Sequence, residues 1–135
     1  MNKVLLDTDI LSELIKRRNT SVDQQAASYL QVHQRLSFSV VTYFEIVRGF
    51  RWKQAPAQIS KFEYFAGESF VIPIDTSIAD KASELWAVAR REGYPCGDAD
   101  LLIAATAIVH QLRLVIGNTA HYSWITELET DNWRV

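Results

Sequence analysis

One cysteine, three prolines and five glycines are spread through 135 residues. Cys96 alone forms no intrachain disulfide and no cysteine-rich zinc cluster, which points to a reducing compartment. Gly/Ser-rich or Pro-rich linkers, internal repeats and isolated charge blocks are missing, so nothing divides residues 1–135 and a single domain is expected. The longest apolar run, Leu101–Val109, falls far short of the roughly 20 residues of a membrane-spanning helix. In the opening MNKVLLDTDI, Asp7 and Asp9 interrupt the apolar stretch before a signal-peptide core forms. A cytoplasmic protein with no membrane partner is the expectation. Charge of one sign is lacking too, with 14 Lys and Arg against 16 Asp and Glu. A polyanionic substrate would therefore be held by local clusters or bound cations rather than by a global basic field. Lys16–Arg18, the trio Arg48, Arg51 and Lys53, and the pair Arg90 and Arg91 are such clusters, though each also reads as a solvated helix end.

Hydrophobic residues make up 48% of the chain, enough for a true core. Val4–Leu6 reads as a short strand ended by acid, followed by a helix carrying Ile10, Leu11, Leu14 and Ile15. A second helix covers SVDQQAASYLQVH, with Thr20 or Ser21 as its N-cap. LSFSV from Leu36 is β-prone, and a helical pattern from Val41 to Arg51 closes near Gly49. Pro56–Glu68 forms the next helix, FVIPI from Phe70 a third strand, and Asp75 or Thr76 caps a helix that Gly93 ends. On that helix Ile78, Ala82, Leu85, Trp86 and Ala89 share one face, which assigns Trp86, like Trp124, to the core. Asp98–Gln111 is helical, and Leu112–Ile116 is a fourth strand broken by Gly117. This alternation specifies an α/β fold: a mostly parallel central sheet of four or five strands covered by helices on both faces.

Ligands of open parallel sheets sit beyond the carboxyl ends of the strands. Asp7 and Asp9 follow the first strand with Thr8 between them, Glu45 lies in the helix after the second, and Asp98 and Asp100 open the helix before the last. Asp7, Asp9 and Asp98 also suit helix caps, and Glu45 could simply pair with Arg48 at i+3. Asp100 shares a stripe with Ile103, Ala104 and Ala107, which places its carboxylate on the packed side or at a cleft rim. If Asp7, Glu45 and Asp100 converge, their repulsion calls for a cation, and oxygen-only ligands select hard Mg²⁺ or Mn²⁺. Such an ion activates water against a phosphodiester. No GxSxG, P-loop or GxGxxG pattern is present, and neither His33, His110 nor His121 has a Cys or His at metal-binding spacing along the chain.

The blocks VLLDTDILSEL, SVVTYFEIVRGF, GDADLLIAATA and IGNTAHYSWI, with Trp133 near the end, resemble the successive motifs of PIN-domain ribonucleases. Specifically they look like those of the VapC toxins of bacterial type II toxin–antitoxin pairs. The resemblance runs from about Lys3 to Trp133. It implies a PIN-like three-layer α/β/α sandwich and an Mg²⁺-dependent endoribonuclease that cleaves cellular RNA and arrests translation. By position, Asp7, Glu45 and Asp100 match the family's catalytic, metal-binding acids and Asn118 the polar residue at its rim, while Thr8, Asp98 and His121 are expected to support those acids from behind or at the rim, Asp98 otherwise as a cap. The acid usual a few residues after Asn118 falls on His121, whose imidazole ligates Mg²⁺ poorly. The resemblance also implies a homodimer blocked by a small antitoxin seated in a groove beside the active site. Phe44, Phe50, Trp52, Phe62, Tyr64 and Phe65 supply aromatic area for such a groove, about half of it expected in the core.

Two rival readings remain at this level. LLDTD also fits a haloacid-dehalogenase-type phosphatase with Asp7 as nucleophile, although Leu11 and the short chain suit it badly. A non-catalytic Mg²⁺-binding interaction module is the other, with Asp75 as its tempting phosphoacceptor.

Overall fold

The computed structural model describes residues 2–135, and its first strand already shows the layering. In β1 (Val4–Leu6), Val4 and Leu6 join one cluster of buried side chains, and Leu5 between them joins another. Period-two alternation in a strand buried on both faces produces this split. The chain continues through α1 (Thr8–Lys16), α2 (Thr20–His33), β2 (Ser37–Ser39), α3 (Val40–Trp52), α4 (Pro56–Gly67) and β3 (Phe70–Ile72). It then forms α5 (Thr76–Glu92), α6 (Asp98–Val109), β4 (Arg113–Val115), a 3-10 turn over Thr119–Tyr122 and β5 (Thr130–Asp131). The sheet has five strands in the order β3-β2-β1-β4-β5, every neighbouring pair parallel.

Helices α1 to α4 cover the Val4 and Leu6 face, where Ile10, Val22, Tyr29, Phe38 and Phe62 pack with Val115 and Trp133. Helices α5 and α6 cover the opposite face, where Ile78, Leu85, Leu101 and Ala104 pack with Leu5, Leu114 and Ile116. Each fully buried Leu or Ile contributes roughly 1.5–3 kcal/mol. The Val4 amide donates to the Tyr29 hydroxyl at 3.2 Å, which ties α2 to the central strand.

Several boundaries differ from the sequence expectation. Asn19, not Thr20 or Ser21, caps α2: its backbone is extended and its side chain accepts from the Val22 amide at 3.1 Å, so the helix starts one residue earlier. Helix α3 passes through Gly49 to Trp52, because the α1–α4 layer supplies packing that outweighs a glycine cost of about 1 kcal/mol. Trp86 is 46% exposed rather than in the core. It lies off the Ile78, Ala82, Leu85 and Ala89 stripe, with the Arg90 guanidinium 5.0 Å from its ring centre. Trp124 does pack against the second cluster, stacked on Tyr94. Asp75 caps α5 through the Ile78 amide at 2.9 Å, and Gly93, at φ +77°, ends that helix.

The strand order places a switch point beside β1. The chain moves outward from β1 through β2 to β3, then returns to pair β4 on the other side of β1. In parallel crossovers the connecting helices run back against the strands, so α1, α3 and α6 all begin near the carboxyl edge of the sheet.

Candidate active site

Asp7 leaves β1 at that switch point. Its amide donates to the Val115 carbonyl at 3.1 Å, extending the β1–β4 ladder, and its Oδ1 accepts from the Ile10 amide at 2.9 Å as the N-cap of α1. Capping is one of its roles, and its surroundings also perturb its charge. Burial pushes the Asp7 carboxyl up to about 7 despite the Ile10 hydrogen bond, with the charges of Asp9 and Asp100 raising it and that of Arg134 lowering it. A buried acid with acidic neighbours is short of positive charge.

Thr8 connects this strand end to Glu45. Its hydroxyl donates to Glu45 Oε1 at 2.6 Å and lies 3.0 Å from the hydroxyl of Thr42, which is fully buried. Having spent its one proton on Glu45, Thr8 accepts from Thr42. Arg48 approaches the other carboxylate oxygen at 3.6 Å, so the expected i+3 pair forms as well.

Asp100 sits in the first turn of α6, half-exposed at the rim rather than on the packed side. Its Oδ2 lies 3.6 Å from His121 Nε2. Tyr122 is buried close to Asp100, and burial followed by the charges of Asp100 and Asp7 pushes this phenol far upward. Asp7 is thus within reach of the Asp100 charge, and the Tyr122 phenol within reach of both. Asp98 is not the cap of α6. Gly97 holds that place in extended conformation with no side-chain hydrogen bond, leaving Asp98 in the first turn where a negative charge meets the helix dipole. The Asn118 carbonyl accepts from the His121 amide at 3.3 Å and opens the 3-10 turn that presents His121.

Three contributors escaped the sequence reading. Cys96 is half-buried beside Asp100, and burial, then the Asp100 charge, pushes its thiol up to about 11. Tyr122 is the second. Arg134 is the third: it binds Glu13 at 2.7 Å and faces Asp7 and Asp9 electrostatically. Only the small residue Gly117 hinted at Arg134, since a Cβ there would lie 1.9 Å from the guanidinium. Among the described residues, the one set of three metal-ligating side chains with ligand atoms all within 4.8 Å of each other is Cys96, Asp100 and His121. Asp7 and Glu45 stand outside that close set.

The domain is a parallel α/β sheet with Asp7 and Asp100 within electrostatic reach of each other near its switch point, and comparison with known proteins specifies the class. The chain belongs to the PIN-domain family, whose model matches residues 4–123. It is 29% identical over 135 residues to the tRNA(fMet)-specific endonuclease VapC of Shigella flexneri, covering 98% of this chain and 99% of that one. It is 26% identical to ribonuclease VapC1 of Haemophilus influenzae strain R2866, covering 96% of each. The solved structure of VapBC-1 from nontypeable Haemophilus influenzae superposes with a TM-score of 0.85 at 27% identity, over 96% of this chain and 97% of that one. Within the family the chain is of the VapC type, a PIN-domain ribonuclease. The three-layer α/β expectation holds, with five strands, and the phosphatase and non-catalytic readings fall away.

Proposed function

We propose that the chain hydrolyses cellular RNA with Mg²⁺, or Mn²⁺ in its place, and that this cleavage arrests translation in the cytoplasm until an antitoxin binds. The carrying observation is geometric: Asp7 leaves β1 at the switch point, Thr8 beside it binds Glu45 at 2.6 Å, and Asp100 opens α6, with burial and the charges of Asp9 and Asp100 pushing the Asp7 carboxyl up. A divalent cation is the group that would offset such a cluster of acids. The donors fit: Asp7, Glu45 and Asp100 offer only oxygen, and Mg²⁺ takes one or two carboxylates directly while keeping several waters. A set of acids wider than 4.8 Å suits an ion bound partly through water.

Asp7 and Asp100 would hold the ion, with Glu45 completing the set. Held there, such an ion would supply positive charge to the phosphodiester and would lower the pKa of a water it binds. Thr8 fixes the Glu45 carboxylate so that it orients the attacking water. His121 stands beside Asp100 where an imidazole exchanges protons at the leaving oxygen, and Asp98 and Asn118 border the entrance. Among the described residues no helix is long and apolar enough to cross a membrane. The Shigella flexneri relative is named a tRNA(fMet)-specific endonuclease, so a structured tRNA is the first substrate to try.

The antitoxin reading rests on a groove of about 810 Å³ between α1, α2 and α4, with Leu14, Ile15, Leu30, Phe50, Phe62 and Phe65 in its wall. Lys16, Arg17, Arg18, Lys53 and Lys61 surround the apolar floor. A segment carrying apolar anchors and acidic residues matches that surface. Phe44, Trp52 and Tyr64, 58%, 88% and 76% exposed, lie on the same pair of helices, α3 and α4, and support pairing of two copies.

The test is cleavage of tRNA by antitoxin-free protein in Mg²⁺ or Mn²⁺ and in EDTA, for wild type, Asp7→Asn and Asp100→Asn. Cleavage that needs the metal and falls at least 1000-fold in either variant is expected. Cleavage undiminished by EDTA or by both variants would overturn the assignment. Light scattering of the same preparation decides between dimer and monomer.

A further inference from the structure

We propose that Cys96, Asp100 and His121 form a Zn²⁺ site that, when filled, withdraws Asp100 from the nuclease centre. The consequence for cleavage rests on the function proposed above; the site itself does not.

The three ligands come from separate places: the turn before α6, the first turn of α6, and the 3-10 turn after β4. Their ligand atoms nevertheless lie within 4.8 Å of one another. Around a tetrahedral zinc with bonds of 2.0–2.3 Å, adjacent ligand atoms are roughly 3.5 Å apart. The 3.6 Å between His121 Nε2 and Asp100 Oδ2 is long for a hydrogen bond and already has the length of one edge of that tetrahedron. Small rotations of half-exposed side chains close the remainder.

Donor chemistry selects the ion. One sulfur, one imidazole nitrogen and one carboxylate oxygen suit borderline Zn²⁺ and disfavour Mg²⁺. Three protein ligands leave a fourth position for water. On binding, the Cys96 S–H bond breaks, the thiolate bonds the metal, and the proton goes to solvent. The Tyr122 ring meets His121 edge-on at 5.0 Å between ring centres and braces that ligand from the neighbouring position. An aspartate at position 121 would make the set mostly oxygen, so the imidazole is what turns this rim from hard to borderline cations.

The experiment uses the full chain and Co²⁺ as a spectroscopic stand-in for zinc. Wild type is expected to bind one Co²⁺ with a thiolate-to-metal charge-transfer band that Zn²⁺ displaces. Cys96→Ser should lose the band, and both Cys96→Ser and His121→Ala should bind Zn²⁺ about 100-fold more weakly. Asp7→Asn should keep the band. No thiolate band in wild type, or unchanged Zn²⁺ affinity in both ligand variants, overturns the site. In Mg²⁺-supported RNA cleavage, one equivalent of Zn²⁺ should inhibit wild type about tenfold and leave Cys96→Ser unaffected. A cobalt band with cleavage indifferent to Zn²⁺ would overturn the link through Asp100. A chain that cleaves no RNA but shows the band would sink the nuclease reading and leave the zinc site standing.

Discussion

The Thr8 hydroxyl donates to Glu45 Oε1 at 2.6 Å, joining the end of β1 to the second turn of α3 across 37 residues of sequence. Thr42, fully buried, holds the Thr8 oxygen from behind at 3.0 Å. This chain of two hydroxyls fixes one carboxylate orientation where water could otherwise turn it. Thr8→Val keeps the shape and removes the donor. The expected outcome is a kcat about tenfold lower with nearly unchanged RNA KM, and recovery in Thr8→Ser. A loss confined to KM, or no recovery in the serine variant, would show that the hydroxyl does not position Glu45.

Asp7 makes the stability of the metal-free protein depend on pH in an unusual direction for an aspartate. Its folded value, about 7, lies above the ordinary 3.8, so the native state binds the extra proton. Below pH 4 both states are protonated and nothing is lost. Between about 4 and 7 the unfolded chain releases its proton first, so native stability falls as pH rises and the loss is complete above 7. Asp7→Asn keeps a competent N-cap for α1 and removes that dependence. At pH 7.5 without metal the variant should be more stable by about 2 kcal/mol, and the two should converge near pH 4. Urea unfolding at several pH values checks this; parallel curves would refute the elevated carboxyl.

How legible the molecule was in its sequence follows from which forces are local. Val4–Leu6 ended by Asp7, Asp75 before α5 and Gly93 after it were readable because period-two burial, capping and left-handed backbone act within a few residues. Thr130–Asp131 was not, since a two-residue edge strand carries no alternation and is set by its pairing to Leu114 and Val115. The acids after the strands could be picked out, yet Cys96 beside His121 could not. Their meeting depends on how α6 and the turn after β4 pack, and spacing along the chain says nothing of it. Arg134 escaped for the same reason, arriving from the far side of β5.

Gly117 and Arg134 share one space. A Cβ on Gly117 would lie 1.9 Å from Arg134 Nη1, so the guanidinium reaches Glu13 only over a residue without a side chain. Gly117→Ala should expel it, costing about 1 kcal/mol from the Glu13 pair. The Asp7 carboxyl should then rise further, because Arg134 lowers it. In an Arg134→Ala background the same glycine change should cost almost nothing. Thermal unfolding of the four proteins in this cycle, with NMR titration of Asp7, measures both effects. Additive losses would mean that the two residues do not compete.

The groove between α1, α2 and α4 separates inhibition from catalysis if it is where an antitoxin segment seats. Leu30, 38% exposed on α2, lines the groove and belongs to none of the acid-bearing elements at the sheet edge. Leu30→Glu places a carboxylate among apolar anchors, where an acidic partner is repelled and an apolar one desolvates a charge. Affinity for a cognate antitoxin should fall about 100-fold or more, while RNA cleavage by the free protein stays within twofold of wild type. Lys61→Glu, on the basic border of the same groove, should weaken binding more at low salt than at high, because its contribution is a screened surface charge. Calorimetry at two ionic strengths distinguishes these effects. If neither variant weakens binding, the antitoxin seats elsewhere.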